Sequence, residues 1–212
     1  MLNTHAAAGH ALHKGSLKKK LKNESRALMT DRGASTQLLV LDLDGITFPG
    51  AKDKYNTYDI QNIAEAFVQY LPKEFHNVSY VAQASASLGL KANKISLHLF
   101  FLLGHTVQPK ILKEWFRTLN YETDFLADQL KLSANGQSIS YPLDVSLADN
   151  SKLIYIAPPK FNGVQDPVAG DRFVRIDRSS PILDISSLIK DVNPEKVHSL
   201  STQIKDGLRK KA

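Results

Sequence analysis

Residues 38–45 read LLVLDLDG and residues 95–103 read ISLHLFFLL, and these two stretches decide the fold. Each is short, rich in β-formers and apolar enough to be buried, and Gly45 stops the first, so both read as strands. Between them Asp59 stands as an N-cap before Ile60, Ile63, Ala64, Phe67, Val68 and Leu71, one apolar helical stripe ended by Pro72. A further strand is read over 78–84 and is joined to 95–103 by a Ser/Gly/Lys/Asn connection. Pro109 opens a second helix whose buried face is Ile111, Leu112, Trp115, Phe116 and Leu119. A short helical piece near 125–130 and an Asn135–Gly136 turn follow, then strand signal around Asp144 and over 152–157. From about Ile182 the chain reads as helix, an interruption at Pro194, and a basic helical end.

The order strand–helix–strand–strand–helix–strand predicts an α+β protein with a ferredoxin/RRM-like βαββαβ core, extra strands and flanking helices. In that topology the first and third strands are antiparallel neighbours at the centre of the sheet. Asp42 and Asp44 then lie beside Ser96 and His98. The direction of the chain at Asp144 stays open. If Asp144 begins a strand paired with the first, it joins this cluster; if it ends one, it lies at the opposite edge.

Hydrophobic residues make up 42% and charged residues 23% of the 212, which places the chain among ordinary globular proteins rather than disordered ones. Cysteine is absent, which excludes disulfides, thiolate metal sites and cysteine nucleophiles. No apolar run approaches the roughly 20 residues of a membrane span, and no secretory pattern opens the chain, so the expected setting is cytoplasmic without a membrane partner. No G-x-x-x-x-G-K-[ST] occurs, so a P-loop ATPase is excluded.

The net charge of +6 is unevenly placed. Residues 1–32 carry Lys14, Lys18, Lys19, Lys20, Lys22, Arg26 and Arg32 against Glu24 and Asp31. Residues 203–212 carry Lys205, Arg209, Lys210 and Lys211 against Asp206. The stretch between has 16 basic and 18 acidic residues, so the basic character belongs to the ends. The organisation read from this is a basic helical arm (1–32), a core (33–180) and a helical basic segment (181–212) that could lead to a further domain. The arms suit a nucleic-acid backbone, or serve only to solubilise the chain.

Asp42 and Asp44, two apart on a strand, leave the same face. Two such carboxylates resist joint ionisation unless a cation neutralises them, and Mg²⁺ or Mn²⁺ with phosphate oxygens is a natural partner. The plain alternative has both acids facing water where the strand leaves the core. Ser96 and His98 share a face by the same period. The connection before them, with Ser85, Ser87, Gly89, Lys91 and Lys94, suits a triphosphate or is simply a polar hairpin. Tyr80, Phe100 and Phe101 read as core.

The ordered set LLVLDLDG, ISLHLFF and PLDVSL resembles the archaeo-eukaryotic primase superfamily. More narrowly, it resembles the primase-polymerase domains of phages, plasmids and other mobile elements. SAS-x-GL…K-x-SLHLFF and KLIYIAPPKF are similar to segments of those domains, and the likeness spans about residues 36–178. The resemblance implies Asp42, Asp44 and Asp144 as catalytic, metal-binding carboxylates for Mg²⁺ or Mn²⁺. Ser96 and His98 would contact the phosphates of an incoming nucleoside triphosphate, with Ser85, Ser87, Lys91 and Lys94 beside them. Such domains commonly have an arginine just before the strand that follows the last aspartate; here Lys152 is read at that point. The implied activity is DNA-templated primer synthesis or extension on a single-stranded template. Elements of this kind often encode a replicative helicase, here on a separate chain or outside this sequence.

Two other classes compete. LLVLDLDGITF also fits the opening motif of haloacid-dehalogenase-like phosphatases, with Asp42 as nucleophile, Asp44 as acid/base and one Mg²⁺, but no later G-D-x-x-x-D follows. A non-catalytic single-stranded nucleic-acid-binding module on the same sheet is the third. If the N-terminal arm holds template, deleting residues 1–32 should weaken DNA binding and flatten its salt dependence more than it affects metal binding. An unchanged slope of log K against log salt would make the arm a solubilising segment only.

Overall fold

In the computed structural model, residues 33–48, 59–91, 93–150, 152, 154–168 and 171–211 are described. The basic helical arm read over 1–32, with the side chains from Lys14 to Arg26, lies outside them. The alternation of LLVLDL is realised as β1 (Thr36–Thr47), and ISLHLFFLL lies in β3 (Lys94–Val107). The two pair antiparallel, as the topology predicts. β2 (Tyr80–Ala84) lies on the other side of β3, and β6 (Phe173–Ile176) pairs with the outer edge of β2, giving the antiparallel order β1-β3-β2-β6. The protein is α+β. Helices α1 (Ile60–Val68), α2 (Pro109–Glu122), α3 (Asp124–Ala127), α4 (Ser186–Lys190) and α5 (Pro194–Lys211) surround the sheet, and β4 (Lys131–Leu132) with β5 (Ile139–Ser140) forms a small hairpin.

The period of two along each strand separates the faces. Leu39, Leu41 and Leu43 of β1, Leu97, Leu99 and Phe101 of β3, and Tyr80 and Ala82 of β2 join one buried cluster. Ile63, Ala64 and Phe67 of α1 and Leu112, Trp115 and Phe116 of α2 complete it. Each fully buried large side chain contributes about 1.5–3 kcal/mol. α1 begins as expected, with Asp59 accepting from the Asn62 amide at 3.1 Å. Ile111 departs from the expected face of α2 and is 38% exposed. The interruption read at Pro194 separates two helices: α4 ends at Lys190 and Pro194 opens α5. Asn193 accepts the Glu195 and Lys196 amides at its N-terminus, and Val197, Leu200, Ile204 and Leu208 pack with Tyr121, Leu130, Ile139 and Tyr141.

Two expected strands are corrected. Lys152 and residues 154–157 lie in no strand, Tyr155 and Ile156 are exposed, and the fourth strand of the sheet is β6. Around Asp144 the chain makes a single antiparallel bridge, Leu43 to Leu143, and turns into a 3-10 segment, Val145–Ala148.

β1 contains a bulge that the hydrophobic pattern depends on. Leu43 pairs with Leu97 and Ile46 with Ile95, so Asp44 and Gly45 together oppose Ser96. The extra residue moves the core positions from 39, 41 and 43 to Ile46 and Phe48, all buried. Gly45 takes φ +65°, a left-handed conformation, in open space. The buried Ser96 hydroxyl accepts its N–H at 3.0 Å. Gly45→Ala should therefore lower stability by about 1–2 kcal/mol through backbone conformation alone. Ser96→Ala, which strands the Gly45 amide, should cost about 1–3 kcal/mol in urea unfolding. Parent-like midpoints for both would show that the bulge does not depend on these two residues.

Candidate functional site

The strand register aligns polar side chains from separate parts of the sequence. Asp42 on β1 stands opposite His98 on β3, His98 opposite Gln83 on β2, and Gln83 opposite Phe173 on β6. Directly opposed residues of an antiparallel sheet share a face, here the one away from the core cluster. Beyond β1, the Asp144 amide donates to the Asp42 carbonyl at 3.0 Å, which sets Asp144 abreast of Asp42. The chain direction left open by the sequence is thereby decided: the Asp144 backbone pairs beside Asp42, and its side chain turns to Ser146.

Hydrogen bonds link much of this row. The Tyr155 carbonyl can only accept, so the Gln83 amide nitrogen donates to it at 2.9 Å. The Gln83 carbonyl oxygen then faces His98 and accepts from Nδ1 at 3.1 Å. This leaves Nε2 of His98 facing Asp42 Oδ1 at 3.3 Å. The Asp144 carboxylate accepts from the Ser146 amide at 2.8 Å and the Ser146 hydroxyl at 2.6 Å, capping the 3-10 segment. Among the described residues, no lysine or arginine lies within 4.0 Å of the Asp42, Asp44 or Asp144 carboxylates.

Asn120 of α2, fully buried, holds Asp144 in place. Its side chain donates to the Leu143 carbonyl at 2.9 Å and accepts the Leu143 amide at 3.0 Å. One side-chain amide thus pairs both backbone groups of the bridging residue, as a neighbouring strand would.

A cleft of about 780 Å³ opens over this face. Asp42, His98 and Gln83 line its floor, Ile154 to Pro159 and Leu147 one side, and Ser85, Asp166, Asp171 and Arg172 another. Arg172 is buried; its Nε and one terminal nitrogen donate to the two Asp166 oxygens, and its other terminal nitrogen donates to the Ser85 carbonyl at 3.1 Å. The guanidinium lies 5.3 Å from the Phe161 ring centroid. The hydrogen bond from Arg172 holds the Asp166 carboxyl below its ordinary value. Tyr155 and Ile156 at the rim are 77% and 62% exposed, and Phe173 is also exposed.

The other residues singled out in the sequence are dispersed. Asp44 sits exposed on the bulge, outside the cleft lining, and the Ser96 hydroxyl is turned to Gly45. Ser85 lines the cleft, with Ser87 3.4 Å from its hydroxyl. Lys91 is exposed in the connection, and the Lys94 ammonium donates to the Thr47 hydroxyl at the far end of β1. Lys152 is corrected: it lines a separate cavity of about 80 Å³ beside Thr36 and Leu112. The residue immediately before the next strand of the sheet is Arg172. Of the three aromatics read as core, Tyr80 and Phe101 are buried there, whereas Phe100 shares the site face two residues from His98. Gln83, Asn120 and Arg172 were not legible as site residues; the one available signal was a lone Gln in YVAQA, an apolar strand.

No protein-family model, curated protein or solved structure matches this chain. Among the described residues, no group of three His, Asp or Glu side chains gathers closely enough to hold a metal by protein ligands alone. No described helix is long and apolar enough to cross a membrane.

Asn120→Leu should cost about 2–4 kcal/mol, since it strands two buried backbone groups. It should also raise hydrogen exchange at the Asp144 amide relative to the core amides of β3. Retained protection at Asp144 would show that the bridge to β1 holds without Asn120.

Proposed function

We propose that this chain is a DNA-templated nucleotidyltransferase of the primase-polymerase kind, which joins nucleotides from nucleoside triphosphates onto a primer. The observation that carries the reading is the alignment of Asp144, Asp42 and His98 across adjacent strand positions, with Asp42 and His98 lining one cleft. Three motifs separated by more than a hundred residues converge there. The bridge at Leu143, followed by β1, β3 and β2, supports a ferredoxin-like reading in which that bridge occupies the fourth strand's position.

The donor types suit Mg²⁺ or Mn²⁺. Asp42 and Asp144 offer hard oxygen donors with no described arginine or lysine within 4.0 Å, and Mg²⁺ commonly takes one or two carboxylates and fills its shell with water and phosphate oxygens. Bound there, divalent ions supply charge stabilisation for the attacking and leaving oxygens. Arg172 carries donors for phosphate oxygens beside His98 in the cleft, and it fills the position where the resemblance expects an arginine. The opposite rim, with Tyr155, Ile156 and Phe173, offers apolar surface for a base. A cleft lined by both carboxylates and exposed apolar side chains suits a metal-bound nucleotide.

The phosphatase reading draws no support from the sheet, since β1 pairs antiparallel with β3 instead of entering a parallel sheet. A purely binding sheet would present several aromatics on its central strands; here Phe100 stands alone among Asp42, His98 and Gln83 on that face.

Purified protein with Mg²⁺ or Mn²⁺, single-stranded DNA and nucleoside triphosphates should yield short oligomers, and chelation should abolish them. Asp42→Ala and Asp144→Ala should each reduce synthesis by about a hundredfold or more. Retained synthesis in both would reject the assignment of these carboxylates. Phosphate release from small phosphomonoesters without oligomer formation would favour the phosphatase.

A further inference from the structure

We infer that Arg172 and Asp166 form a two-state anion site in which the Asp166 carboxylate occupies, in the free chain, the guanidinium fork that phosphate oxygens of a ligand take. The inference rests on the reading that this cleft accepts a phosphorylated ligand, and it adds the group that must leave first.

The argument begins with an asymmetry. The Arg172 side chain is 7% exposed and the Asp166 side chain 38%. Arg172 is fixed from two further directions, through its bond to the Ser85 carbonyl and its place over the Phe161 ring. Among the described residues, Asp166 is held otherwise by accepting the Val168 amide at 2.9 Å. A buried guanidinium without a partner is costly, whereas an exposed carboxylate returns to water at little cost. Exchange at this site therefore moves the aspartate and leaves the arginine in place. Two coplanar carboxylate oxygens on Nε and a terminal nitrogen reproduce the geometry with which arginine binds two oxygens of a phosphate. Both residues line the cleft that holds Asp42 and His98, so an anion in the fork lies beside the proposed metal-binding floor. Until it is displaced, Asp166 also adds a negative charge to a cleft already lined by Asp42 and Asp171, which disfavours small anions that cannot reach the floor.

Inorganic tripolyphosphate is the probe, used without nucleotide, template or metal, so the outcome does not depend on catalysis. Asp171→Asn is the control, because Asp171 is an exposed carboxylate lining the same cleft and its loss changes net charge equally. At matched ionic strength, Asp166→Asn should bind tripolyphosphate about tenfold more tightly than Asp171→Asn does. Its melting temperature should fall below the parent's and recover on adding the anion. Equal tightening in the two variants, or weaker binding in Asp166→Asn, would overturn the inference and make Asp166 a clasp that orients the arginine. Should Asp166→Asn fail to fold, the parent chain carries the same test by NMR. Saturating tripolyphosphate should shift the Arg172 Nε–H resonance and return the Asp166 carboxyl to its ordinary titration range. An Asp166 titration unmoved by saturating anion would equally overturn it. Primer synthesis with unmoved Asp166 would leave the functional reading standing and reject this inference alone.

Discussion

The antiparallel ladder between Thr36–Thr47 and Lys94–Val107 is the constraint on which the rest of the molecule depends. Its two-residue period sends Leu39, Leu41 and Leu43, with Leu97, Leu99 and Phe101, into the core. The same period leaves Asp42 and His98 directly opposed on the other face. A slip of one residue in this register would exchange the faces, burying the carboxylate and exposing the leucines. The hydrophobic effect that fixes the register therefore also fixes the distance between Asp42 and His98.

The polar residues inside the protein concentrate around the same face. Of the buried polar side chains, Gln83 sets the side of the imidazole presented to Asp42, and Ser96 satisfies the bulge that follows Asp44. Asn120 fastens the segment bearing Asp144, and Arg172 lines the cleft. Each reaches partners with its donors and acceptors, which is the condition for tolerating polar groups at such depth. Their cost to the core is offset locally by hydrogen bonds, and their combined effect is to position groups at one cleft.

The strands 36–47 and 94–107, helix α1 with its Asp59 cap and helix α2 after Pro109 were legible because periodicity and capping are local properties. The run Lys152–Ala157 has the composition of a strand, yet Tyr155 and Ile156 remain outside the core and the strand that follows is β6, preceded by Arg172 in place of Lys152. Ser96 likewise appeared as a free hydroxyl, because only the bulge at Gly45 shows which amide needs it. Asn120 gave no sign at all, since an asparagine on a helix acquires its role from the Leu143 backbone lying beside it.

Sequence by itself determined the α+β class, the antiparallel pairing of the first and third strands and the meeting of Asp42 with His98. Those follow from the order of apolar strands and helices, which implies the topology, and from the two-residue period, which carries the face of every residue along a strand. Tertiary structure alone decided that Asp144 stands abreast of Asp42, that β6 lies beyond β2 and that Arg172 rather than Lys152 lines the cleft. These depend on hydrogen bonds between groups far apart in the chain, such as Asn120 to Leu143, whose partners are set by packing and have no period along the sequence.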